Sequence, residues 1–146
     1  MTRYLADSSI WGWANSGRRP DIAAKLAERI TDEEIATCVP VALEVLHRAR
    51  SGAEYERLFE LLLEPLEWLP LGEGASRRAL EVQRALAVTT HGNHLRPAVD
   101  YLIAAVAETA GPDCVLWALD RDLRVVCEHT GQPVEAEGPD GSAART

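Results

Sequence analysis

Short β-prone runs alternate with longer runs of helical periodicity along almost the whole chain, and this alternation narrows the fold more than any other feature. "RYLAD" (3–7), "EIATCV" (34–39), "EWLPL" (67–71), "CVLWALD" (114–120) and "LRVVCE" (123–128, running toward "QPVEA") read as strands or extended segments. Between them, "SSIWGWANS" (8–16) opens a helix or loop. "DIAAKLAERI" (21–30) puts Ile22, Leu26 and Ile30 on one helical face, with Asp21 as N-cap after Pro20. "PVALEVLHRARSG" (40–52) starts on Pro40 and closes on Gly52. "AEYERLFELLLEPLEWL" (53–69) aligns Tyr55, Leu58, Phe59, Leu62 and Leu63 until Pro65 ends or kinks it. "ASRRALEVQRALAV" (75–88) and "PAVDYLIAAVAETAG" (97–111, with Gly111 as C-cap) are the last two helical signals. Strands separated by helices demand a parallel sheet covered on both faces, because a parallel connection needs a crossover.

At 146 residues and 47% hydrophobic content, the chain is the size of one domain able to bury its own core. That domain is expected over 1–136, with "EGPDGSAART" (137–146) as a structureless tail. No apolar run approaches the roughly 18 residues that span a bilayer, and MTRYLADSSI lacks a signal-peptide layout, so a cytoplasmic protein without membrane contact is expected. Cys38, Cys114 and Cys127 lie in or beside apolar segments without C-x-x-C spacing and read as core residues.

The net charge of -8 argues against a simple phosphate-binding surface, unless the acids are concentrated at a metal site. Their addresses suit that exception. Asp7 ends the first strand, Glu44 lies one turn into the helix after the second, Asp100 one turn into the helix after "HLRP", and Asp120 ends "VLWAL" with Asp122 just beyond. Carboxyl ends of parallel strands open into the ligand crevice of such folds, so residues distant in sequence converge there. Glu44 and Asp100 are set in nearly apolar runs, where a carboxylate must be partnered or neutralised. Clustered hard oxygen ligands call for Mg²⁺ or Mn²⁺. For Asp7 and Ser8 the plainer alternative is that they only cap the following helix.

These segments resemble the PIN-domain family, and within it the VapC-type toxin ribonucleases of toxin–antitoxin pairs. "LADSSIW" is similar to that family's opening strand with its first acid and following hydroxyl; "CVPVALEVL" to its Glu-bearing helix; "RPAVDYLIAAVA" to its third motif; "VLWALDRDLRVV" to its fourth. The resemblance spans Tyr4 to about Ala136. It implies a three-layer α/β/α sandwich with a central, mainly parallel sheet of four to five strands. It further implies Mg²⁺- or Mn²⁺-dependent endonucleolytic cleavage of RNA by a metal-activated water, a homodimer, and a cognate antitoxin that obstructs the acidic cleft. Carried onto this chain, Asp7, Glu44, Asp100 and Asp120 are the catalytic, metal-holding acids, and Asp122 is an outer or alternative ligand. Ser8 and Arg96 are candidate substrate contacts.

Ala118 stands where the family often carries Thr or His, and Leu123 where it usually carries Phe; the first change takes a hydrogen bond from Asp120. The rival reading is therefore a PIN-fold interaction module with a weakened or inactive site. A phosphohydrolase reading needs a second acid two residues beyond Asp7, where Ser9 stands. His91 and His94, separated by Gly92 and Asn93, read as loop residues; Trp11 and Trp13 read as packing residues, with stacking on an RNA base or burial of a partner segment as the functional alternatives.

Overall fold

A computed structural model describes residues 1–89, 92, 94–119, 121–138 and 143–145. The elements run β1 (Arg3–Ala6), α1 (Ser8–Ser16), α2 (Pro20–Thr31), β2 (Ile35–Thr37), α3 (Val39–His47), α4 (Gly52–Leu58), β3 (Glu67–Trp68), α5 (Glu73–Thr89), α6 (Ala98–Thr109), β4 (Cys114–Ala118), α7 (Arg121–Thr130), β5 (Val134–Glu137) and β6 (Ala143–Arg145). The sheet order is β3-β2-β1-β4-β5-β6, parallel from β3 through β5 and antiparallel at β6. The parallel sheet covered by helices that the sequence predicts is the architecture found.

Strands β2 and β5 are buried at every residue and β1 and β4 at all but one, as befits strands covered on both faces. From β1 the chain moves outward to β2 and β3, then returns past its start to β4 and continues to β5. Right-handed crossovers in opposite directions along a sheet place their helices on opposite faces. Accordingly α1 packs on α2, while α5, α6 and α7 pack on one another. The strand order reverses between β1 and β4, and it is at the carboxyl ends of such a reversal that folds of this kind place their ligand crevice. A glycine in the left-handed region, Gly17 at φ 75°, lets α1 stop abruptly and turn into α2.

On the α2 face, Tyr4 meets Trp117 edge-on, with ring centroids 6.5 Å apart. The Arg29 guanidinium lies 3.7 Å from the Tyr4 centroid and 4.4 Å from that of Trp117, and pairs with Glu135 at 2.6 Å. Lys25 pairs with Glu137 at 2.6 Å, and the Trp117 indole donates to the same carboxylate oxygen at 2.9 Å. The buried acids of β5 are thus matched by cations from α2 and join helix to sheet.

Several sequence readings are corrected. "LRVVCE" is not a strand but part of α7, whose buried Leu123, Val126 and Cys127 recur at helical spacing; its β-branched content misleads. Gly52 opens α4 under a Ser51 cap instead of closing α3. Arg19, not Asp21, precedes α2, and its guanidinium forks onto the Asp21 carboxylate and lowers it to about 2. Helix α4 widens into a π turn over Phe59–Leu63, closed by Glu64 N–H on Phe59 at 2.8 Å, before Pro65. Leu63 is buried and Leu58, Phe59 and Leu62 pack against the core, so that stripe serves mostly the inside. Within the expected tail, Glu137 completes β5 and residues 143–145 add β6 along its open edge, where unpaired backbone groups accept a strand of almost any sequence.

All three cysteines are free and buried, as expected. Burial pushes the thiols of Cys38 and Cys127 up to about 12 and that of Cys114 to about 11, which leaves them unreactive. Among the described residues no helix is long and apolar enough to cross a membrane.

Leu116 is fully buried on β4 beside Leu5 of β1. Leu116→Ala is expected to lower the unfolding free energy by about 2–5 kcal/mol, read from the urea midpoint at unchanged slope.

Candidate active site

Asp7 follows β1 directly, and its amide donates to the Trp117 carbonyl at 2.9 Å, so it sits where β1 and β4 both end. Its two carboxylate oxygens have different surroundings. Oδ2 caps α1, accepting from the Ser9 amide at 3.2 Å and the Ser9 hydroxyl at 2.7 Å. Oδ1 is buried and has no hydrogen-bond partner among the described residues. Capping and a functional carboxylate are therefore not alternatives here, because one oxygen caps and the other is held bare.

The surrounding groups hold this arrangement. The Ser9 hydroxyl also accepts from the Leu119 amide at 3.1 Å, which ties α1 to the segment leaving β4. The Ser8 hydroxyl donates to Glu44 Oε1 at 3.0 Å, linking the Glu-bearing α3 to the amino end of α1. Asp7 is 2% exposed, and burial pushes its carboxyl above the usual range. The Ser9 hydrogen bonds oppose that shift and the charge of Glu44 adds to it.

Asp100 is buried in the first turn of α6, where the helix dipole favours an acid. Arg96 forms an ion pair with Asp122, which lies in the first turn of α7. Tyr101 lies among these groups. Burial raises its phenol, Arg96 opposes the shift, and Asp100 and Asp122 add to it, while its hydroxyl donates to the His94 carbonyl at 2.7 Å. The sequence candidates thus form two groups, Asp7–Ser8–Glu44 at the end of β1 and Asp100–Arg96–Asp122 at the starts of α6 and α7. Asp120 and His91 lie outside the described residues. Ala118 is fully buried at the end of β4. Among the described residues no three of His, Cys, Asp or Glu form a cluster able to hold an ion by themselves.

A family model for the PIN domain matches residues 4–129. The chain belongs to the PIN-domain family. It is 33% identical over 140 residues to "Ribonuclease VapC18" of Mycobacterium tuberculosis (strain ATCC 25618 / H37Rv), covering 95% of this chain and 98% of that protein. The fold is similar to that in the crystal structure of DNA-bound VapBC from Salmonella typhimurium, with TM-score 0.67 at 13% identity over 85% of this chain and 92% of the other. A structure of VapBC2 from Rickettsia felis bound to a promoter DNA fragment matches with TM-score 0.67 at 15% identity, covering 86% and 93%.

In this PIN domain the sequence reading missed how central Ser9 is, although a hydroxyl two residues beyond an Asp is the usual signal of a capping turn. Arg48, one of the arginines that the sequence places in loops or at helix ends, lies against α1 at Gly12, a contact that no local pattern shows.

The raised Asp7 carboxyl fixes the sign of a pH effect. Folding disfavours its ionised form, so the stability it contributes is complete below its usual value of 3.8 and is lost as pH rises through the folded value. In EDTA at pH 7, Asp7→Asn is expected to melt above the wild type, with the gap closing as the pH is lowered toward about 4; scanning calorimetry across that range checks it.

Proposed function

We propose that this protein is a metal-dependent endoribonuclease and the toxin of a toxin–antitoxin pair, acting in the cytoplasm. The observation that carries the reading is the bare, buried Oδ1 of Asp7 at the crevice between β1 and β4, with Glu44 adding negative charge beside it. A buried carboxylate oxygen left without a donor is costly unless a proton or a cation occupies it. Similarity to a protein named as a ribonuclease supports the choice of reaction, and the likeness to VapBC complexes supports a cognate antitoxin.

Mg²⁺ or Mn²⁺ would be held by Asp7, Glu44 and Asp100, with Asp120 completing the set and Asp122 as an outer ligand. Bound there, the ion supplies positive charge to the phosphate and lowers the pKa of water. The residues of the chain do the positioning. Ser9 holds Asp7 Oδ2 so that Oδ1 keeps one orientation, and Ser8 holds Glu44. Arg96 restrains Asp122 through their ion pair.

Val39, Leu43 and Tyr55 stay exposed around an apolar groove shared with Leu46, Phe59 and Trp68. Such a patch on a small domain supports association with protein, here the expected homodimer and antitoxin.

Purified, antitoxin-free protein is expected to cut total cellular RNA into discrete fragments with Mg²⁺ or Mn²⁺ and to stop in EDTA. Asp7→Ala and Asp100→Ala should each retain less than about 1% of the cleavage rate, since even outer-shell losses at metal sites cost 10–100-fold. Intact RNA in every lane, from protein whose melting temperature Mn²⁺ does raise, would favour the interaction-module reading instead.

A further inference from the structure

A trough runs along α1. It is lined by Ser9, Gly12, Trp13, Ser16, Arg18 and Arg48, and its continuation toward Ser8 shares Gly12, Ser16 and Arg48 and adds Trp11, Val45, Leu58, Arg50 and Glu54. It begins at the two serines that hold Asp7 and Glu44.

Gly12 is the feature that needs a reason. It is the fifth of nine residues in α1, where glycine costs about 0.5–1 kcal/mol relative to alanine. Its φ is not in the left-handed region, so the backbone does not require it. A Cβ at this position would lie 2.4 Å from Arg48 Nη1, and its three nearest atoms would all belong to the Arg48 guanidinium. The missing side chain therefore lets Arg48 bring one guanidinium nitrogen close against the helix.

Neither Arg48 nor Arg18 forms an ion pair among the described residues, although the chain carries 23 acids against 15 basic residues. The section holding both contains no carboxylate. Its floor is the small polar face of α1, and Trp13 is 38% exposed beside it. Arginine forks suit phosphates, and an exposed indole suits a base.

We propose that this trough binds the single-stranded RNA segment adjoining the scissile phosphate, with Arg48 and Arg18 contacting backbone phosphates and Trp13 stacking on a base. The inference rests on the nuclease reading above and names where its substrate lies. A partner helix would instead use the apolar Trp11, Val45 and Leu58 of the continuation, so capture of the antitoxin is one arm of the test.

The test is anisotropy of a fluorescein-labelled single-stranded oligouridylate with the full chain in EDTA, titrated across salt concentrations. Removing one arginine from a backbone phosphate makes the slope of log K against log salt shallower by about 0.7 for a single strand. Arg48→Gln and Arg18→Gln should each show that change. Gly12→Ala should reproduce the Arg48→Gln slope while melting no lower than the wild type, and Trp13→Ala should weaken binding without changing the slope. Wild-type slopes and affinities in both arginine variants would overturn the proposal. So would failure of Arg48→Gln to capture the cognate antitoxin with its RNA binding intact, which would assign the trough to protein. Cleavage of total RNA by the wild type, run in parallel, separates the two readings: a cutting enzyme with unchanged slopes sinks only the trough, whereas absence of any Asp7-dependent cutting sinks the nuclease.

Discussion

Keeping a carboxylate buried at the end of a central parallel strand is the constraint on which the rest of this molecule turns. Asp7 cannot be solvated there, so its surroundings must compensate for one oxygen and leave the other to a proton or cation. Ser9 does the first, and through the Leu119 amide it also locks α1 to the exit of β4. Ser8 then reaches Glu44 on α3, so two consecutive hydroxyls at the start of one helix align three chain segments around a single crevice. A helix cap, a sheet crossover and the site are here one set of hydrogen bonds.

The protein treats its other buried acids differently. Glu135 and Glu137, on β5, meet Arg29 and Lys25 from α2, with Tyr4 and Trp117 beneath the cations. Removing one partner of such a pair strands a buried charge, so these contacts hold α2 in place even if their net contribution to stability is small. Paired carboxylates on this face and an incompletely satisfied one at the carboxyl end of the sheet separate the acids that hold the fold from the one proposed to serve a site.

Much of this was legible from local pattern. The strands around Leu5, Ala36 and Leu116 declare themselves as short apolar runs, and α6 by its proline start and small-residue faces. Asp7, Glu44 and Asp100 stand out because an acid in an apolar run needs a reason. Periodicity failed where two signals conflicted. In "LRVVCE" the β-branched residues suggest a strand, while Leu123, Val126 and Cys127 form a buried helical stripe that only packing selects. Gly52 looks like a stop signal and acts as a start because Ser51 before it caps α4. The β6 strand depends on an open sheet edge and not on its own composition.

By itself, the sequence determined the class of fold, the order of its elements as far as β4 and the acids at strand and helix ends, because hydrophobic periodicity and charge placement are local properties of the chain. Only the tertiary structure decided which oxygen of Asp7 stays bare, that Arg96 spends its charge on Asp122, and that Arg48 lies in the space left by Gly12. Each of these depends on a partner at least 26 residues away or on the cost of desolvation, and neither quantity exists until the sheet has closed and water has been excluded.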